Sequence, residues 1–442
     1  MAEIASRPIR AAVPDPVDPL ALTQDELRSL ARRFGSPLLV VDCNVVRRQY
    51  RQLASALPGV ALHYALKPLP HGSVVATLRD EGACFDLATS GEIDLVRQQK
   101  VSPERCIHTH PIKRDVDIRD ALRFGVTTFV ADNPDEILKF VRHRKRAELL
   151  LRVSFRSPDA VCDLSRKFGC DPDDALELLR LARRHGVRVK GLSFHVGSQA
   201  GNPAKYVEAI DACAELIAAA VLAGLPALDT LDIGGGFPVA YGDEAVDIDA
   251  FCAPIRTALA RLPAQVRVIA EPGRFIAAPS AVAIATVMGK ARRGREFWYY
   301  LDDGLYGSYS GQLYDHARYP IEIVRAAAHA RGASPSKRAG PEDSMEVGEG
   351  APVPVKKRST QSDEGLLPSV LAGPTCDSID VIAENVALPE LEIGDLVVGH
   401  NMGAYTWASA TDFNFFPRAR VVVMNESALG DGRVVPLRRR RA

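Results

Sequence analysis

Two short segments near the middle of the chain carry side chains suited to holding a phosphate. Asp232-Ile-Gly-Gly-Gly-Phe-Pro238 and Glu271-Pro-Gly-Arg274 each end an apolar run in a turn whose glycines leave backbone N–H groups bare. A cluster of such N–H groups beside a guanidinium is what an anchored phosphate needs. The Glu271 carboxylate suits a cation close to that anchor, such as a protonated ring nitrogen. Together the segments point to a phosphate-bearing heterocyclic cofactor. Tyr64-Ala-Leu-Lys67-Pro68 sets a lysine directly after another apolar run. Alone, such a lysine reads as a solvated surface charge. Beside a phosphate site it reads as the Schiff-base partner of pyridoxal phosphate, with partial desolvation expected to favour its neutral, nucleophilic form. Pyridoxal phosphate also accounts for Glu271, which would keep the pyridine nitrogen protonated and the ring an electron sink.

Further residues fit the same site, each with a plainer structural reading beside it. His195, in Ser193-Phe-His-Val-Gly-Ser198, is either a structural strand-end histidine or a ring that stacks on the cofactor. Ser198 can donate its hydroxyl to the phosphate. Asp86 and Glu92 share the stretch Phe85–Glu92, where Glu92 could equally complement the dipole of a helix start. Beyond residue 275, Leu313-Tyr-Asp-His316 and Gly373-Pro-Thr-Cys-Asp-Ser378 stand out. Buried cysteine is usually inert packing, but turn residues flank Cys376 and an acid follows it, a setting that favours partial exposure. Asp315 and Asp377 could clamp a cationic substrate tail.

These residues need elements to bring them together. Eight apolar runs read as strands: Ala61–Leu66, Ala83–Leu87, Cys106–Thr109, Thr128–Ala131, Glu148–Val153, Val189–His195, Asp229–Ile233 and Val266–Ala270. Helical patterns such as Pro134–Lys145, Asp173–His185 and Tyr206–Ala223 separate them. Lys67, Asp86, Arg152, His195, the glycine run and Glu271 all fall at the C-terminal ends of different runs. They converge only if the strands close into a ring, so a (β/α)₈ barrel is expected over a doubly wound sheet. The barrel is expected over residues 36–275. Ala281–Val287, Phe297–Leu301, Ile321–Ala327, Asp395–Val398 and Arg420–Met424 then form a mostly β second domain, residues 276–442, which residues 20–35 complete. Thr23-Gln-Asp-Glu26 is a capping box opening a helix in that N-terminal piece. Residues 1–19 are expected to be disordered. His329–Gly365 holds no aromatic, leucine or isoleucine and is expected to be a mobile insertion.

Composition narrows the function class. The 442-residue chain balances 55 basic against 55 acidic residues, which gives no electrostatic case for nucleic acid or a charged membrane. The Arg438–Arg441 run reads as a solvated tail. No apolar run approaches a membrane span, and the first residues lack a signal-peptide pattern. The eight cysteines have no paired metal-like spacing, so no metal site is expected, and free thiols in the cytoplasm are.

Taken in order from about Pro37 to Arg420, these motifs resemble the fold-type III pyridoxal-phosphate-dependent decarboxylases, which share an alanine racemase-like architecture. Gly-Pro-Thr-Cys-Asp with Leu-Tyr-Asp-His resembles the ornithine decarboxylase branch, since the diaminopimelate branch typically has glutamate after the cysteine. The resemblance implies that Lys67 attaches the cofactor and that His195 stacks on its ring. Asp86 and Arg152 lie at the cofactor, with Glu92 in the same helix-start motif. Ser198, Gly235, Gly236, Gly273, Arg274 and Tyr405 form the phosphate cradle, and Glu271 meets the ring nitrogen. Cys376 is implied as the acid that protonates the α-carbon. Asp315 and Asp377, with Tyr314 and Phe413, are implied on the substrate side. It further implies a two-fold homodimer with Cys376 and Asp377 reaching across from the partner. Pro68-Leu-Pro70 departs from the family pattern, which has asparagine or a similar residue shortly after the lysine.

The expected reaction is decarboxylation of L-ornithine to putrescine and CO₂, as in polyamine biosynthesis. L-lysine is the nearest alternative substrate, because one methylene discriminates by only ~1–3 kcal/mol. Diaminopimelate follows, disfavoured by the carboxyl at its distal end. A non-catalytic regulator is disfavoured by the presence of both Lys67 and Cys376, and a racemase by the Cys376 motif with the paired carboxylates Asp315 and Asp377.

Overall fold

Eight parallel strands close into a ring in the computed structural model, which describes residues 20–155, 167–242, 245–326, 365–426 and 435–436. A strand β1, Leu38–Asp42, precedes them. The ring comprises β2 (Ala61–Ala65), β3 (Cys84–Leu87), β4 (Cys106–His108), β5 (Thr128–Ala131), β6 (Glu148–Arg152), β7 (Arg188–Ser193), β8 (Thr230–Asp232) and β9 (Arg267–Ala270). Pairing of Ala61 with Ile269 joins the first strand to the last. All eight expected barrel strands are therefore present, with ends that differ from expectation by at most two residues.

Alternation along the strands explains why the ring is filled. Phe129 and Ala131 join the large core that includes the surrounding helices, while Val130 between them joins Ile107, Leu150 and Ile269 in a separate cluster. Successive side chains on a strand point to opposite faces, so this second cluster is the barrel's own interior. Local caps start the helices that follow the strands. Helix α1 (Gln24–Phe34) opens with the Thr23–Glu26 capping box. Asp42 caps α2 (Cys43–Ala56) and His71 caps α3 (Gly72–Asp80). Thr89 caps α4 (Ser90–Gln98) by accepting from the Glu92 N–H.

The rest of the chain builds a nine-stranded sheet from β1 with β10 (Ala281–Arg293), β11 (Glu296–Leu301), β12 (Ile321–Val324), β13 (Leu366–Ala372), β14 (Val381–Pro389), β15 (Leu396–Gly399), β16 (Arg420–Met424) and β17 (Val435–Pro436). Here β1 corrects the expectation that residues from 36 onward open the barrel. It runs antiparallel to β10 and parallel to β16 inside the sheet. All five of its residues are buried, Leu38 and Val40 beside α1 and Leu39 and Val41 in the large core. A strand apolar on both faces needs cover on both, and this central position provides it. Strands β13 and β14 carry no clean signal, because Pro368 interrupts one and Glu384-Asn385 the other. The expected disordered stretch 1–19, the expected insertion apart from Gly365, and the basic run Arg438–Arg441 lie outside the described residues.

Candidate active site

The C-terminal end of the barrel gathers five titratable side chains, of which Asp86, Asp232 and Glu271 are buried. Lys67 follows β2, Asp86 lies in β3, Arg152 ends β6, Asp232 ends β8 and Glu271 follows β9. Burial alone would depress the Lys67 amine, but Tyr405, Asp86 and Glu271 outweigh it and hold the amine above its ordinary range. Its neighbours thus offset the desolvation that was expected to favour the neutral amine. Desolvation, with Glu271 nearby, pushes the Asp86 carboxyl up to about 8. Thr109, just past β4, donates its hydroxyl to Asp86. Glu92, in the first turn of α4, is lifted to about 7 by burial while it accepts from the Ala88 N–H.

Next to this cluster lies a concave backbone surface that tolerates no side chains. The turn after β8 holds Gly234 at φ +67° and Gly236 at φ +111°, a conformation that L residues rarely adopt. A Cβ on Gly235 would stand 2.5 Å from the Glu271 carbonyl oxygen, and one on Gly236 would stand 2.3 Å from that of Gly197. Gly273 presses against Pro68, where a Cβ would meet Cγ at 2.7 Å. The departure at Pro68 therefore packs on the cradle turn.

Arg274 fills the adjacent corner. Its Nε donates to Ser198 Oγ at 3.2 Å and one terminal nitrogen to the Tyr241 hydroxyl at 3.1 Å. The other pairs with Asp315 at 2.6 Å, and the guanidinium lies 4.7 Å over the Tyr405 ring. Tyr405 adopts φ +55° and is tied by its N–H to the Pro68 carbonyl at 3.0 Å. His195 sits between β7 and this cradle, its Nε2 3.3 Å from the place a Gly235 Cβ would take. Burial, then Arg152 and Lys67, hold its imidazole well below the ordinary value, so it presents a neutral ring.

Two observations test whether pyridoxal phosphate suits this site. Glu271 Oε1 is buried without a hydrogen-bond partner, an orphaned acceptor awaiting a donor. The glycine turn, held close against neighbouring backbone, brings its N–H groups together with Ser198 and Arg274 as donors on one side of the mouth. An anion on the cradle, a donor at Glu271 and an electrophile for the Lys67 amine describe the three functional edges of that cofactor. The residues fit it.

The substrate-side residues divide. Asp315 closes a short helix, Gly311–Asp315, and lies on the cradle side in its ion pair with Arg274. Cys376 and Asp377 stand elsewhere, on the turn between β13 and β14. Cys376 is exposed, its Sγ 3.4 Å from Asn414 Oδ1. Asp377 accepts from the Tyr306 hydroxyl, which holds its carboxyl below the usual range. The Tyr306 ring stacks on Phe413 with centroids 4.4 Å apart, and Tyr314 is exposed. Four residues outside the sequence-based set touch its members: Thr109 meets Asp86, Asp232 meets Glu271, Tyr241 meets Arg274 and Tyr306 meets Asp377. Asp232 stood in the quoted glycine motif and could have been singled out there. The tyrosines have no motif of their own.

The family model described as pyridoxal-dependent decarboxylase, pyridoxal binding domain, matches residues 43–278. The chain is 51% identical to the lysine/ornithine decarboxylase of Vibrio vulnificus, solved in complex with putrescine; the match covers 91% of this chain and 98% of that one, at a TM-score of 0.80. It is 33% identical over 406 residues to the lysine/ornithine decarboxylase of Selenomonas ruminantium, covering 92% of this chain and 94% of that one. It also resembles the arginine decarboxylase of Paramecium bursaria Chlorella virus, solved bound to agmatine, at 30% identity and a TM-score of 0.79, covering 91% and 100% of the two chains.

Proposed function

Because this chain belongs to the fold-type III pyridoxal-phosphate-dependent decarboxylases, in their ornithine/lysine branch, we propose that it decarboxylates L-ornithine to putrescine, with L-lysine as its second substrate. The single observation that carries the reading is the barrel mouth. There the solvent-accessible Lys67 stands beside the buried carboxyls of Asp86 and Glu271 and a glycine and Arg274 cradle. When bound, pyridoxal phosphate supplies the electron sink for the pair released as the Cα–carboxylate bond breaks.

Each residue has a defined task in this reading. Lys67 presents its amine for covalent attachment of the cofactor, and Asp86 and Arg152 set the charge around it. Ser198, Gly235, Gly236, Gly273, Arg274 and Tyr405 hold the phosphate. His195 offers its uncharged ring face to the heterocycle, and Glu271 holds the ring nitrogen. Cys376 Sγ delivers a proton to the substrate α-carbon. Asp377, aligned by Tyr306, takes the distal ammonium, and Asp315 faces the same tail from the cradle side. Phe413 and Tyr314 flank it.

Cys376 and Asp377 are displayed at the surface, among exposed Ile379, Phe413 and Phe415. We propose that a second copy of the chain brings this edge to the first copy's barrel, giving a homodimer with shared sites. Seven free thiols among the described residues support a cytoplasmic setting. No helix among the described residues is long and apolar enough to cross a membrane. The test is direct. Supplied with pyridoxal phosphate and L-ornithine, the enzyme should release CO₂ and putrescine, and Lys67→Ala should release neither. Full turnover by that variant would overturn the assignment.

A further inference from the structure

Asp232 is fully buried at the end of β8 and takes part in none of the tasks above. Its Oδ1 accepts the Gly234 N–H at 2.9 Å and its Oδ2 the Ser193 hydroxyl at 3.2 Å. Its carboxyl is also in hydrogen-bond contact with that of Glu271. The neighbouring backbone locks the two together, since the Glu271 N–H donates to the Gly234 carbonyl at 2.8 Å. Two buried carboxyls in contact cannot both stay ionised, so they hold one proton between them. Two donors already serve Asp232, whereas Glu271 has an unpartnered oxygen. The proton therefore rests on Glu271 and points at Asp232, leaving Oε1 free. The titratable groups facing the pair are Asp86 from β3, Lys67 after β2 and Arg152 at the end of β6, with the uncharged His195 ring after β7. Burial raises both acids, Asp232 to about 6 and Glu271 well above its ordinary value, in keeping with a retained proton.

We propose that Asp232 is the positioning residue for Glu271: it fixes that carboxyl by a shared proton, aims Oε1 at the cofactor, and releases the proton to the ring nitrogen when the cofactor binds. This rests on the pyridoxal phosphate reading above. The step balances within the site: the O–H bond of the acid pair breaks, the ring N–H bond forms, and no proton is drawn from solvent for it.

The proton count distinguishes this from a merely structural role. Titration of the cofactor-free enzyme with pyridoxal phosphate, by calorimetry in two buffers of different ionisation enthalpy, gives the protons exchanged per site. In Asp232→Asn the amide donates to an ionised Glu271, so the ring must take its proton from solvent. That variant should take up about one more proton per site than the wild type and bind the cofactor at least about tenfold more weakly, the scale of one hydrogen bond to a charged group. Equal proton counts and equal affinity would overturn the proposal. A second measurement needs no variant: the infrared difference spectrum of the wild type should lose one protonated-carboxyl band on cofactor loading. Persistence of that band would also overturn it. Failure of the wild type to bind pyridoxal phosphate at all would instead bring down the cofactor reading with it.

Discussion

The barrel mouth and the β13–β14 turn hold chemically similar residues under opposite conditions. At the mouth, Asp86, Asp232, Glu271 and Arg274 are buried, Lys67 stands beside them, and the acids and the lysine influence one another's titration. At the turn, Cys376 is exposed and Asp377 is aligned by one tyrosine hydroxyl. Buried charges interact strongly and persistently, whereas exposed ones are screened. The mouth is thus a receptor whose buried acids and arginine one chain supplies for the cofactor. The turn is a half-built surface that the proposed partner completes around a transient substrate.

The sharpest way to break this contrast is Lys67→Ala. It should cost roughly 10³-fold or more in kcat, as loss of a covalent catalyst does, and abolish the absorption of lysine-bound cofactor. Next comes Cys376→Ala, which should lower kcat by about 10²–10⁴-fold, the range for a general acid, while cofactor absorption stays intact. If Cys376→Ala lost the cofactor too, the division between the two regions would be false.

Most of the mouth was legible in the sequence, because strand ends put its residues in predictable places. Lys67, Glu271, Arg274 and the glycine run follow apolar strands directly, and a barrel brings every such position to one rim. The protonation of the mouth was not legible. Lys67 reads as a neutral nucleophile until its three-dimensional neighbours Asp86, Glu271 and Tyr405 are known. The turn was legible only as a motif, since Tyr306 meets Asp377 across 71 positions of sequence. In the sheet, the extended character of Pro37–Asp42 is legible but its place beside β10 and β16 is not, and the Pro368-interrupted β13 is defined by distant pairing partners rather than by local pattern.

Paired acid variants sharpen the contrast further. Asp377→Asn should lower kcat/KM for a diamino acid by about 10–100-fold, the value of a hydrogen bond to a charged group, with cofactor affinity unchanged. Asp315→Asn should weaken both, because it also strips Arg274 of its buried ion pair. Cofactor titration beside steady-state kinetics separates the two, and identical behaviour would contradict the placement of Asp315 on the cradle side.

The smallest expected effect is on stability. His108, on β4, is buried with neither ring nitrogen bonded among the described residues, and burial pushes its imidazole down to about 3. Between that value and the ordinary 6.5 the unfolded chain takes up a proton that the folded chain refuses. Folding stability therefore falls as pH drops, by about 1.4 kcal/mol per unit from this group. His108→Phe should flatten the acid limb by that slope in urea unfolding between about pH 6 and 5. An unchanged slope would mean that the ring is hydrated.

The most direct measurement of the central claim is kcat/KM on L-ornithine, L-lysine, L-arginine and diaminopimelate with pyridoxal phosphate added. The account predicts ornithine first, with lysine within about 10–200-fold, the discrimination one methylene provides, and diaminopimelate last. Preference for diaminopimelate would contradict it, since the acidic pair Asp315 and Asp377 is assigned to a purely cationic tail.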